Sequence, residues 1–183
     1  MNSTEIITNT RRWLEQVVIG LNLCPFARKP LEAGKVRFFV STAQTEDALL
    51  ADLQNELLWL IEPANETVET SIVIAPAVLQ NFMDYNNFLG WADELIVQLD
   101  LEGVLQVASF HPDYCFADTE PRDASNLTNR SPYPLLHILR EDLLEQMLDK
   151  YPNADSIPEQ NIIKMTQLSP AERARLFPYL LGT

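Results

Sequence analysis

Thr70 to Ala75 (TSIVIA) is a short run with almost no polar interruption, set between two much longer amphipathic patterns. A run of that length and β-branched content reads as a strand buried on both faces, of the kind found inside an α/β sheet. The segments on either side read as helices. From Thr45 to Ile61, Leu49, Leu50, Leu53, Leu57 and Ile61 share one stripe, and Pro63 ends the pattern. From Asn81 to Leu99, Phe82, Tyr85, Leu89, Ala92, Ile96 and Leu99 recur at intervals of three and four. Lys35 to Ser41 (KVRFFVS) and Val104 to Phe110 (VLQVASF) add two more strands.

The ends of the chain are helical. Ile7, Leu14, Val17, Val18 and Leu21 predict a first helix, with Asn2 and Glu5 as its capping box and Gly20 at its close. Pro25 then forces Cys24 toward extended geometry, so Cys24 is expected in a turn just past that helix. Pro134 to Lys150 also reads as helix, with Leu136, Leu139, Leu143 and Met147 aligned. Two short helices finish the stretch 151–183, where Ser156 with Glu159 and Ser169 with Glu172 have the spacing of capping boxes. Between them, 111–130 has no period, is rich in Asp, Asn, Pro and Thr, and reads as a long ordered loop.

The expected architecture is α/β, a small three-stranded, mainly parallel sheet with flanking helices. The alternative is a ferredoxin-like two-layer α+β fold, with an antiparallel strand hidden in a segment read as loop. The 183 residues suit one domain, 1–183, and 46% apolar content is enough for a full core without disulfides or a structural metal.

Charge narrows the functions. Asp and Glu number 26 against 13 Lys and Arg, for a net charge of −13. Such a surface repels phosphate backbones and anionic membranes, so neither nucleic acid nor membrane is an expected partner. No apolar run approaches the ~18 residues of a membrane span. Glu5, Arg11, Arg12 and Glu15 break up any signal-peptide core, so a cytoplasmic setting with reduced thiols is expected. No Walker A, GxGxxG, GxSxG or HExxH motif is present, and five glycines cannot build a glycine-rich phosphate cradle.

In open α/β sheets ligands bind beyond the carboxyl ends of the strands. Of the three expected strand ends, Phe110-His111 alone carries a strong catalytic side chain, and the long loop begins there. His111 is therefore the leading acid/base candidate, with Asp113 beside it. Otherwise its ring simply ties the loop to the sheet. Arg130 is a candidate anion holder, with Asn129 and Ser131 lining the site or capping the expected helix after Pro134. Alternatively Arg130 pairs with Asp118, Glu120 or Asp123. Cys24 is a candidate nucleophile with Arg28 and Lys29 nearby, although a helix C-terminus raises a thiol pKa and free cysteines are commonly buried. His137, expected on the helix, is a further candidate. His111 with Cys24, Asp113 or His137 makes a conceivable metal site, but no metal-ligand spacing supports it.

The strings Thr10-Arg11-Arg12-Trp13-Leu14-Glu15, Gly20-Leu21-Asn22-Leu23-Cys24-Pro25-Phe26-Ala27, Ser109-Phe110-His111-Pro112-Asp113-Tyr114 and Thr128 to His137 (TNRSPYPLLH) resemble those of a bacterial domain-of-unknown-function family. The resemblance runs from about residue 10 to Ile157-Pro158-Glu159-Gln160-Asn161. It implies bacterial origin and a cytosolic location but names no activity, and any cofactor stays unknown. Its strings include Cys24, His111, Asn129, Arg130 and His137, while position 115 does not require cysteine. Three functions stay open: a binder of a small polar or anionic molecule, with or without catalysis; a non-catalytic partner-binding or assembly module; and a metal protein.

Overall fold

The computed structural model describes residues 2–180. Its centre is a four-stranded mixed sheet of β1 (Val36–Val40), β2 (Thr70–Ile74), β3 (Leu105–Phe110) and β4 (Leu135–Arg140), in the order β1-β2-β4-β3. β1 and β2 are parallel, and β4 runs antiparallel to both β2 and β3. β1, β2 and β3 therefore point the same way, as the βαβ pattern predicts, but β4 is inserted between the last two.

That insertion corrects two expectations. The sheet has four strands rather than three, and it is mixed rather than mainly parallel. Pro134 to Lys150 is not one helix: it is β4 followed by α5 (Glu141–Leu148). The Leu-Leu-His-Ile-Leu run places apolar residues at both helical and alternating intervals, so periodicity alone does not separate the two. Pairing decides it. β4 closes the gap between β2 and β3, where Leu136 and Ile138 fill one face of the sheet and Leu135 the other. The hidden antiparallel strand of the alternative reading thus exists, but in the segment expected as helix. The fold is not two-layered, because apolar clusters cover both faces.

On one face lie α3 (Glu46–Ile61) and α4 (Phe82–Gln98), whose Leu49, Leu53, Leu57, Tyr85, Phe88 and Ala92 pack on Val73, Leu105, Leu136 and Ile138. Both helices start where the sequence places a cap: Thr45 accepts from the Ala48 N–H, and Asn81 from those of Met83 and Asp84. One half-buried ion pair sits on this face. Arg37 donates through Nε and Nη2 to Glu56, Ser71 Oγ donates to the same carboxylate, and the guanidinium lies 4.1 Å from the centre of the Trp59 ring.

The other face carries α1 (Ser3–Trp13), α6 (Ile157–Gln167) and α7 (Pro170–Leu176), which pack Ile6, Trp13, Met165, Leu176 and Phe177 against Ile72, Ile74 and Leu135. Asn2 caps α1 through the Glu5 N–H, and Ser169 with Glu172 forms a full capping box on α7. Ser156 does not cap α6; its hydroxyl donates to Asn153 O instead.

After Trp13 the first helix widens into a π turn, Leu14–Ile19. A Cβ on Gly20 would lie 2.3 Å from the Gln16 carbonyl oxygen, so only glycine fits where this turn ends. Asn22 then takes a left-handed conformation (φ 51°) and reverses the chain. The result brings Cys24 back beneath Val18, whose carbonyl accepts from the Leu23 N–H. The short α2 (Arg28–Glu32) follows. Residues 111–130 form turns and a single 3-10 stretch, Ala124–Thr128. Positions 181–183 of the expected C-terminal helical stretch lie outside the described residues.

Candidate functional site

His111 stands at the end of β3, as expected, but it is fully buried. Its Nε2 lies 2.9 Å from Leu79 O, and its Nδ1 2.9 Å from the Asp113 N–H. A carbonyl can only accept and an amide N–H can only donate. The ring is therefore neutral, protonated at Nε2, with both nitrogens occupied by backbone. Burial lowers its pKa, against weaker opposing pulls from the Leu79 carbonyl and Asp113. Leu79 has φ 59°, a costly conformation for leucine, and the imidazole pins its carbonyl. Both ring nitrogens are engaged by backbone, and the ring clips the loop to the sheet.

The neighbours expected around His111 stay beside it but meet it through backbone groups: the Asp113 and Ser131 N–H groups donate to it, and the Asn129 carbonyl accepts from its N–H. Asp113 is exposed and contributes its backbone amide. Ser131 is fully buried, and its hydroxyl donates to Tyr133 O rather than capping a helix. Asn129 Nδ2 donates to Ser109 O, and the Asn129 carbonyl accepts from the His111 N–H. Arg130 forms no ion pair with Asp118, Glu120 or Asp123; its guanidinium donates to the carbonyls of Tyr114 and Pro121.

β4 relocates His137. In a strand the side chain occupies the centre of the α1 face, in register with Ile72 on β2 and Ala108 on β3. There it lines a cavity of about 240 Å³, with Cys24, Phe26, Thr70, Phe110 and Leu135 among the other walls. Leu143, Leu144 and Met147 of α5 close one side, and no residue of that helix is buried. Apolar side chains make up most of the wall.

The proton on His137 can be placed. Thr70 Oγ1 is 2.6 Å from Ile138 O and 2.7 Å from His137 Nε2. The single hydroxyl proton goes to the carbonyl, so Nε2–H donates to Thr70 and Nδ1 carries the lone pair. Among the described residues nothing donates to that lone pair. Burial pushes the pKa of His137 down to about 4, so the ring is neutral at pH 7.

Cys24 lines the same cavity and a second, larger one of about 570 Å³ beside it. Val18 and Phe110 also border both, so the two hollows meet at the thiol. The second has a more polar wall, with Thr119, Thr128, Asn129 and Asn161. Asn161 donates to Leu23 O at 2.7 Å, and its buried Oδ1 has no partner. Burial raises the pKa of Cys24, only partly offset by hydrogen bonds from the backbone at Phe26 and Ala27. The thiol stays protonated at neutral pH, and no hydrogen bond joins it to His137. These two residues form no preassembled nucleophile–base pair.

Cys24, Asn129 and His137 are thus brought to one cleft, while His111, Asp113 and Ser131 are structural neighbours of it and Arg130 lies elsewhere. Thr70 and Asn161 were missed, since neither carries a motif. Among the described residues no group of three or more His, Cys, Asp or Glu side chains is placed to hold a metal ion. Nor is any helix long and apolar enough to cross a membrane.

Fold and site together define a mixed α/β protein with an internal cleft between its sheet and its first helix. The family described as protein of unknown function (DUF1415) matches residues 5–175, and the chain belongs to it. No curated protein and no solved structure matches the chain.

Proposed function

We propose that this protein binds a small neutral molecule in the cleft that meets at Cys24, with its apolar part against β4. The observation that carries this is the unpartnered Nδ1 lone pair of His137 in a mainly apolar cavity, whose other polar walls include Glu69, Thr70 and Arg140. A neutral imidazole of that tautomer accepts and cannot donate there, so the ligand supplies one hydrogen-bond donor, a hydroxyl or an N–H. The Thr70 hydroxyl is already committed to Ile138 O and His137, which holds the ring in place. A polar end of the ligand reaches the Asn129 side of the second hollow past the thiol. Both cysteines are free, in keeping with a cytoplasmic setting.

The test compares phenol with benzene, which differ by one donor. Wild type binds phenol more tightly, by about tenfold for one hydrogen bond in an apolar site. His137→Phe removes the acceptor, and Leu144→Trp fills the cavity from α5. The first abolishes the preference and the second abolishes binding of both. Absence of saturable binding of either probe to folded wild type would overturn the proposal.

A further inference from the structure

A different hollow, of about 360 Å³, is lined by Arg122, Arg130 and Arg173, with Asp123 as its one acidic wall. In a chain of net charge −13 with only 13 basic residues, three arginines on one hollow is a strong local reversal of charge. Acids are plentiful, yet among the described residues none pairs with them. The ion pairs among the described residues use Arg28, Lys35 and Arg37 instead. Asp123 is occupied as a cap, accepting from both the N–H and the hydroxyl of Ser125.

The arginines also have donors left over. Arg130 uses Nε on Tyr114 O and Nη2 on Pro121 O, which leaves most of its five N–H groups unspent. Arg173 donates through Nη2 to Met165 O, but its Nε is buried and has no partner. A buried N–H without an acceptor is costly in a folded protein, and negative charge held beside that guanidinium offsets part of the cost. Arg122 is exposed and makes no hydrogen bond to the rest of the described chain. Leu127, Phe177 and Leu180 add an apolar wall.

We infer that this hollow is an anion site, taking a phosphate or a dicarboxylate group of a small molecule. Planar guanidinium groups bind such oxygens two at a time, which suits three arginines around one dianion. The surrounding negative charge opposes adventitious anions, so occupancy depends on the arginines rather than on the general field.

Isothermal titration with inorganic phosphate, and separately with succinate, tests this at constant ionic strength. At least one of the two binds saturably, and the tighter of them identifies the class. R122Q weakens that binding by about tenfold, as expected for one charge-assisted contact. Because Arg122 is exposed and holds nothing in place, this variant keeps its fold whatever happens to R173Q. R28Q, which touches only Glu32, serves as the control and binds as wild type. No saturable binding of either anion would overturn the site, as would binding that R122Q and R28Q leave equally unchanged.

Discussion

The Thr70 hydroxyl stands between Ile138 O and His137 Nε2 and thereby fixes which imidazole nitrogen carries the proton. That relationship fixes the tautomer, and burial keeps the ring neutral, so at pH 7 His137 is an acceptor facing a cavity.

It carries a pH dependence. The folded pKa of His137, about 4, lies below the ordinary histidine value of 6.5. The unfolded chain therefore binds the extra proton first as pH falls. Stability from this group is fully present above pH 6.5 and is lost progressively from there down to about pH 4, by roughly 3 kcal/mol. His111, also lowered, adds in the same direction. Urea unfolding from pH 7.5 to 4.5 should show the loss, and His137→Gln should show a shallower slope. An equal slope in the variant would assign the loss to other groups.

His111→Ala is expected to destabilise by about 3 kcal/mol, since it opens a space in the core and strands Leu79 O and the Asp113 N–H. The same unfolding measurement checks it. A cost under about 1 kcal/mol would mean that the clip is not structural.

Cys24 should alkylate slowly. Its burial raises the thiol pKa, and the thiolate is the reacting form. Iodoacetamide at pH 8 is expected to modify it more slowly than a free peptide thiol, and phenol should slow it further by occupying the adjoining cavity. Labelling as fast as the free thiol would contradict the buried placement.

Glu56→Ala removes the acceptor for Arg37 and for the buried Ser71 hydroxyl. The Glu56 side chain is 4% exposed and that of Arg37 35%, so water reaches only the arginine. The expected cost is about 2 kcal/mol, below that of breaking a fully buried pair. Thermal unfolding reads it directly, and an unchanged midpoint would show the pair to be dispensable.

Much of the fold was legible because α3 and α4 each carry a helical stripe, β2 is a short continuous apolar run, and β1 and β3 are rich in β-branched and aromatic residues. β4 was not, because Leu135 to Leu139 satisfies two periods at once and only its pairing with β2 and β3 separates them. That ambiguity misplaced His137: on a helix its neighbours would be Arg140 and Glu141, whereas on a strand they are Ile72 and Ala108. His111 drew attention by its position at a strand end, and that position is real. What sequence does not show is that two backbone groups, at Leu79 and Asp113, use up its nitrogens. Arg122 and Arg173 are 51 positions apart in the chain, and no local pattern joins them to Arg130.

The most direct measurement is the ¹⁵N spectrum of the His137 ring during a phenol titration at pH 7. Nδ1 should start as an unprotonated nitrogen and shift as it accepts the phenol hydroxyl, while Nε2 stays protonated on Thr70 and His111 does not move. Phenol that binds without moving Nδ1, or an Nδ1 already protonated in the free protein, would contradict a ligand site built on His137.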